Sequence, residues 1–133
     1  MDLDALSVHQ FAHALHKRGV PLLPRLVAGF NRLLNKSAIP PDCAIGEETR
    51  LGYGGLGLCI DPGSRVGRRS MLCQQVQLRG AVTVGDDVLV GAGAMICGPV
   101  QIGDGAQIGA NAVVTTDVPA GAVATGIPAT VRR

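Results

Sequence analysis

The sequence predicts an all-β repeat fold, a coil of short parallel strands, preceded by a short two-helix segment. Three observations point there. From Ile60 to Val114 an aliphatic residue returns at every sixth position: Ile60, Val66, Leu72, Leu78, Val84, Val90, Ile96, Ile102, Ile108 and Val114. Four residues after each comes a second small or aliphatic residue: Ser64, Ser70, Val76, Val82, Val88, Ala94, Val100, Ala106, Ala112 and Val118. The aromatics Phe11, Phe30 and Tyr53 all precede residue 54, so the repeat contains no ring. A six-residue period exceeds a strand's alternation and does not fit the helical spacing of about 3.6. It suits short strands separated by corners, where residues such as Gly67, Gly85 and Gly91 can take backbone angles that others resist. Stacked coils would pair their backbones roughly 4.8 Å apart and bury the aliphatic rows as one continuous core, too narrow for aromatic side chains.

Taken in order, residues 1–36 read as a helical segment and 37–133 as the coil with its C-terminal tail. Residues 6–18 predict a helix, with Ser7 and Gln10 as a capping box, Val8, Phe11, Ala12 and Leu15 as its apolar face, and Gly19 as its stop. His9, His13 and His16 share a stripe beside that face, which reads as a polar edge or subunit contact. No carboxylate stands among them, and no metal is expected. A second helix is expected from Pro21 or Pro24 to Leu34, burying Leu22, Leu23, Leu26, Val27, Phe30, Leu33 and Leu34. Asn35 and Lys36 end it, and Pro40-Pro41 stiffen the chain before the coil. The two helices are expected to cover the open end of the coil or to pack on a neighbouring subunit.

Ile39, Ile45 and Leu51 begin the six-residue rhythm, but the next member, Ile60, comes nine residues on. Three extra residues therefore bulge within the Gly-rich stretch from Gly52 to Cys59, which carries Tyr53. Such a bulge on a rigid rod is either a functional loop or a harmless corner insertion. Outward-facing Arg65, Arg68, Arg69 and Arg79 form a basic strip, read as solvated surface or as a phosphate contact. Met71 with Leu89, and Met95 with Val113, predict apolar rows in register on exposed sides, the mark of a subunit interface.

A formal charge of +2 on 133 residues gives no reason to expect nucleic acid or a membrane surface as a partner. No apolar run reaches the roughly 18 residues of a membrane span, and Met1-Asp2-Leu3-Asp4 is acidic where a secretory leader is basic. A soluble, cytoplasmic protein is expected. Cys43, Cys59, Cys73 and Cys97 show no metal or redox spacing. Cys43 and Cys73 fall on repeat positions that want a small residue, so packing is their expected role, with a nucleophilic Cys as the minor alternative.

Repeats such as the one opening at Ile102-Gly-Asp-Gly and the one at Ile108-Gly-Ala-Asn resemble the hexapeptide repeats of left-handed parallel β-helix acyltransferases, in which three hexapeptides make a triangular coil. The resemblance is closest to short serine acetyltransferases. It extends through Ile39-Pro-Pro-Asp-Cys-Ala-Ile45-Gly, Leu51-Gly-Tyr-Gly-Gly-Leu-Gly and Val90-Gly-Ala-Gly-Ala to Asp117-Val-Pro-Ala-Gly-Ala-Val-Ala-Thr-Gly-Ile-Pro-Ala129. It implies a left-handed winding, a homotrimer, and acetyl-coenzyme A lying in the groove between neighbouring coils. Carried over by position, Ala92, Gly93, Ala110 and Asn111 would line the pantetheine arm, Thr115 and Thr116 would stand near the end of the groove, and Arg132 or Arg133 would meet phosphate. Thr116 and Thr130 stand where the family usually has Lys and Arg.

The implied activity is acetyl transfer to a small hydroxyl acceptor, serine-like or sugar-like. The reaction needs a base, since hydroxyls are almost un-ionised at neutral pH. The family supplies it from His residues; here Gly52-Tyr53 stands in place of the Asp-His pair, Asp61 replaces the His after the bulge, and Leu78 to Val84 is an uninterrupted six with no inserted loop. Asp61 is therefore the expected base, provided burial raises its pKa, with Tyr53 orienting the substrate or donating a hydrogen bond. A His from a neighbouring subunit's first helix is the second choice, and Asp61 as a plain turn residue before Pro62 is the structural reading. The alternative function is a trimeric rod that has lost acyl transfer and serves binding or partner interaction. A metal enzyme of the γ-carbonic-anhydrase kind is disfavoured, because the coil has no His ligands.

Overall fold

The computed structural model describes residues 5–19 and 22–133, the side chains of residues 31, 34 and 35 excepted. The aliphatic rhythm winds a three-sided prism. One face pairs β1 (Ala44–Ile45), β4 (Arg65–Val66), β7 (Val82–Val84) and β10 (Val100–Ile102). The second pairs β3 (Cys59–Ile60), β6 (Gln77–Arg79), β9 (Met95–Cys97) and β12 (Val113–Val114). The third joins β2 (Arg50–Leu51), β5 (Met71–Leu72), β8 (Leu89–Val90), β11 (Gln107–Ile108) and β13 (Val123–Thr125). All of these pair in parallel; β14 (Thr130–Arg132) turns back antiparallel on β13 and closes that face.

Register follows the sequence period. Ile60, Leu78, Ile96 and Val114 stack in one column, each a full coil from the last. Both predicted rows point inward: from Ile60 to Val114 and from Ser64 to Val118 every member is buried. Ser64 and Ser70, polar members of the second row, are satisfied because their hydroxyls donate to the carbonyls of Gly80 and Gly85 at 3.0 and 2.9 Å. Coils pass so closely at the corners that a Cβ on Gly91 would lie 2.6 Å from the Ala110 nitrogen, which excludes any side chain there. Met71 pairs with Leu89 and Met95 with Val113, so the predicted outward rows are in register, with Leu89 and Met95 exposed in the single chain.

The first coil is three residues longer than the others, as Ile45↔Val66 and Leu51↔Leu72 show. The surplus forms the short turn Gly52–Gly55, in which Tyr53 and Gly54 take left-handed backbone angles (φ 48° and 67°). The bulge also seats the helical segment: a Cβ on Gly55 would meet Ala5 Cβ at 2.6 Å, and Gly57 N–H donates to the Lys36 carbonyl at 3.1 Å.

Helix α1 (Ala5–Lys17) starts before Ser7, so Ser7 lies inside the helix instead of capping it. Val8 and Ala12 are buried, whereas Phe11 is 58 % exposed. The His stripe is a docking seam and not merely a polar edge. His9 Nε2 donates to the Cys43 carbonyl at 2.7 Å and His13 Nδ1 to the Pro41 carbonyl at 2.8 Å; a carbonyl only accepts, so each contacting nitrogen carries the hydrogen. Burial, partly offset by that bond, lowers the His9 pKa to about 4, and its Nδ1 has no hydrogen-bond partner among the described residues.

Helix α2 (Leu23–Asn35) begins after Leu22 with Pro24 in its first turn and ends at Lys36 in the left-handed conformation. A start at Pro21 and the Leu34 side chain lie outside the described residues. Its apolar stripe is not buried within one chain: Leu22, Leu23, Leu26, Phe30 and Leu33 are all exposed. Among the stripe's described side chains only Val27 is half-buried, and the others face outward.

Candidate active site

Two edges of the second face gather the candidate residues. At the edge where the chain arrives from the third face, the bulge with Tyr53 stands below a ladder of corners. Gln75 N–H donates to the Leu56 carbonyl, Gly93 N–H to Gln74, and Asn111 N–H to Ala92, all within 2.8–3.0 Å. Tyr53, Ala92, Gly93, Ala110 and Asn111 therefore lie along one line, with Asn111 in the left-handed region that an Asn accepts more readily than most residues (φ 59°). Tyr53 is 81 % exposed at its foot.

The opposite edge carries Asp61, Arg79, Cys97, Thr115 and Thr116 in successive coils, read from the register of β3, β6, β9 and β12. Tyr53 and Asp61 are thus kept apart within one chain by the width of the face. Arg132, in β14, and Arg133 are exposed at the closing end.

Asp61 is only partly buried. Its side chain is 36 % exposed, Oδ2 accepts the Gly80 N–H at 2.9 Å, and Oδ1 lies 3.8 Å from Arg79 Nη1. Asp86, Asp104 and Asp117 likewise accept a backbone N–H from a neighbouring coil at 2.8 Å, so Asp61 shares a structural habit with them. It differs in facing a groove whose other wall carries Arg25 and Arg32. Arg79 also reaches the thiol of Cys59, Nη1 to Sγ 3.4 Å.

The basic strip is largely neutralised. Arg69 forms a two-pronged pair with Asp87 at 2.9 and 3.0 Å, which holds the carboxyl below the usual carboxylate range, and Arg68 lies 4.0 Å from Glu47. With Arg79 committed to Asp61, only Arg65 of the four has no ion pair among the described residues. The strip offers little to a phosphate.

Cys43 is buried as packing predicts, and burial pushes its thiol up to about 12. Cys73 is only half-buried, at a corner, as are Cys59 and Cys97 on the outer side of the second face.

Sequence reasoning missed the groove that Asp61 faces. It has a volume of about 390 Å³ and runs between α2 and the first coil, with Arg25, Ala28, Gly29 and Arg32 on one wall and Cys59, Ile60, Asp61 and Pro62 on the other. Arg25 and Arg32 stand seven apart, two helical turns, which was the available signal. A second hollow next to it, lined by His16, Asp42 and again Arg25, continues toward α1. Among the described residues no group of His, Cys, Asp and Glu could hold a metal ion, and no helix is long and apolar enough to cross a membrane.

Comparison with known proteins places this geometry. The bacterial transferase hexapeptide (six repeats) family matches residues 81–116. The chain is 39 % identical to the serine acetyltransferase of a Synechocystis strain, over 95 % of its own length and 53 % of the relative's. It is 34 % identical to that of Helicobacter pylori, over 93 % and 77 %. A solved serine acetyltransferase in complex with CoA superposes with a TM-score of 0.91 at 28 % identity, covering 96 % of this chain and 55 % of that one. The Neisseria gonorrhoeae enzyme in complex with serine gives 0.90 at 28 %, covering 95 % and 54 %. The chain spans little more than half the length of most of these proteins. The three-faced winding is the left-handed parallel β-helix of that group, and the chain belongs to the serine acetyltransferase family of hexapeptide-repeat proteins.

Proposed function

We propose that the chain transfers the acetyl group of acetyl-coenzyme A to the hydroxyl of a small acceptor, serine or a compound like it. The observation that carries this reading is the family relation, which runs through helices, bulge and coil alike and includes relatives solved with CoA and with serine. Three copies around a threefold axis would set the Tyr53 edge of one chain against the Asp61 edge of the next, and the exposed rows of Leu89 and Met95 supply apolar surface for that contact. Ala92, Gly93, Ala110 and Asn111 would line the pantetheine arm, Thr115 and Thr116 the groove's far end, and Arg132 or Arg133 would meet phosphate.

In this site the acceptor oxygen attacks the thioester carbonyl while Asp61 takes the hydroxyl proton, and the proton passes to the departing thiolate to give free coenzyme A. Tyr53 of the adjoining chain donates a hydrogen bond to the reacting oxygen. A carboxylate is in general a weaker base than an imidazole, so slow turnover is expected compared with a His-driven enzyme.

Thiol release from acetyl-coenzyme A, measured across a panel of amino acids and sugars beside calorimetry with coenzyme A alone, tests the proposal. Binding, with turnover lost in Asp61→Ala, is the expected result. Absence of both binding and turnover favours the second reading, a trimeric rod without chemistry acting as a binding partner. The bond from Gly80 N–H to Asp61 is the observation on its side, since it gives Asp61 a structural role of its own.

A further inference from the structure

The groove between α2 and the first coil holds more positive charge than its own chain uses. Arg25 and Arg32 lean on the same side of α2, and Ala28 and Gly29 between them keep that wall low. A Cβ on Gly29 would meet nothing within 4 Å. Among the described residues neither Arg25 nor Arg32 has an ion pair, while Asp61 opposite is already engaged by Arg79 and the Gly80 N–H. The remaining titratable side chains around them are Cys59 in the groove and His16 and Asp42 in the hollow beside it.

Two guanidiniums with no ion pair among the described residues face one engaged carboxylate, which leaves the groove with an excess of positive charge. Its walls of Ile39, Pro40, Pro41 and Ile60 strengthen the field there by excluding water. Guanidinium is also the cation best shaped for a carboxylate or a phosphate, which it grips through two parallel N–H bonds.

We propose that Arg25 and Arg32 grip the carboxylate or phosphate of the acceptor in this groove, with its hydroxyl turned to Asp61. The assignment of Asp61 rests on the acyl-transfer reading above; the anion site rests on the groove alone. A volume of about 390 Å³ suits an amino acid or sugar phosphate, not a whole coenzyme A. Arg25 and Arg32 are specificity residues: they select the acceptor and leave the chemistry to Asp61.

Cys59 lines the same groove and reports its occupancy without turnover. The full chain is treated with iodoacetamide and Cys59 alkylation is followed by peptide mass spectrometry. L-serine, glycerate and glucose 6-phosphate are each compared with serinamide, glycerol and glucose, the counterparts lacking the carboxylate or phosphate, and with coenzyme A alone. At least one of the first three should slow alkylation about tenfold at a concentration where its counterpart does nothing, and Arg25→Gln with Arg32→Gln should abolish the difference. In turnover, the double variant should raise the KM of the anionic acceptor about tenfold and leave kcat unchanged. Gly29→Leu, at an ordinary helical position that accepts a side chain, should block the groove and slow alkylation by itself.

Equal protection by compounds with and without the carboxylate or phosphate, no protection by any of the six, or protection by coenzyme A alone would each overturn the proposal. Protection by an anion that persists unchanged in the double variant would do the same. Anion protection without any thiol release would instead uphold the groove and defeat the acyl-transfer reading.

Discussion

The late coils, residues 80–118, and the early coils, residues 39–79, are wound on one core, yet they differ in almost everything they show to solvent. The late coils contain no Lys or Arg, keep an unbroken six-residue period and turn corners on small residues. The early coils break the period once, at Gly52–Gly55, and hold Asp61, Cys59, Arg79 and the wall that faces Arg25 and Arg32. Regular repeats fix nearly every position by packing, whereas the broken coil has room for residues chosen by something other than packing. The late coils read as scaffold and the early ones as the place where acceptor and proton are handled.

The sharpest way to probe that division is through the core. Ile96→Ala, in the middle of the regular column, should cost roughly 3 kcal/mol in chemical denaturation. Ile45→Ala, in the first coil with one neighbour fewer, should cost clearly less, because a solenoid's stability is shared between adjoining coils. Equal losses would remove the distinction between the two regions.

The helical segment joins the early coils through His9, and this contact gives the region its own pH dependence. The folded-state pKa of about 4 lies below the unfolded value of 6.5, so the unfolded chain binds the proton first. The resulting stabilisation is complete above pH 6.5 and declines as pH falls toward 4, by about 3 kcal/mol in all. A protonated His9 would also face the stacked ring of His13, 5.8 Å away. Denaturation across that pH window should show the slope in the natural chain and not in His9→Gln; a slope retained in the variant would place its origin elsewhere.

At the site itself, Asp61→Asn should lower turnover about a hundredfold with little change in stability, since Asn can still accept the Gly80 N–H. The smallest effect belongs to the Arg69–Asp87 pair. Arg69→Ala should leave both the denaturation midpoint and the turnover unchanged, because the pair is fully exposed and screened.

Much of this was readable beforehand, and the misreadings have a common cause. The columns from Ile60 to Val114 were legible because a period encodes its own partners: each residue meets the one a coil away. The Arg69–Asp87 pair could have been found the same way, since the two are one coil apart. What the period does not encode was misread. His9 and His13 find their acceptors at Cys43 and Pro41, distant in sequence and outside the repeat. The stripe on α2 announced an apolar face without saying what covers it, and Leu26 and Phe30 stay exposed in the single chain. Tyr53 and Asp61 were singled out together, yet the prism sets them on opposite edges of one face. The groove escaped notice because Arg25 and Arg32 acquire meaning only once α2 lies against Asp61.

That separation of Tyr53 from Asp61 supplies the most direct test of a site shared between chains. Tyr53→Ala and Asp61→Asn are prepared as separate proteins, then unfolded, mixed and refolded together, and thiol release from acetyl-coenzyme A is measured with the preferred acceptor. Each variant alone should be nearly inactive, and the mixture should regain a substantial part of the natural rate, because some interfaces then pair an intact Tyr53 with an intact Asp61. A mixture no more active than its parents would contradict the account, as would a Tyr53→Ala protein that turns over at the natural rate.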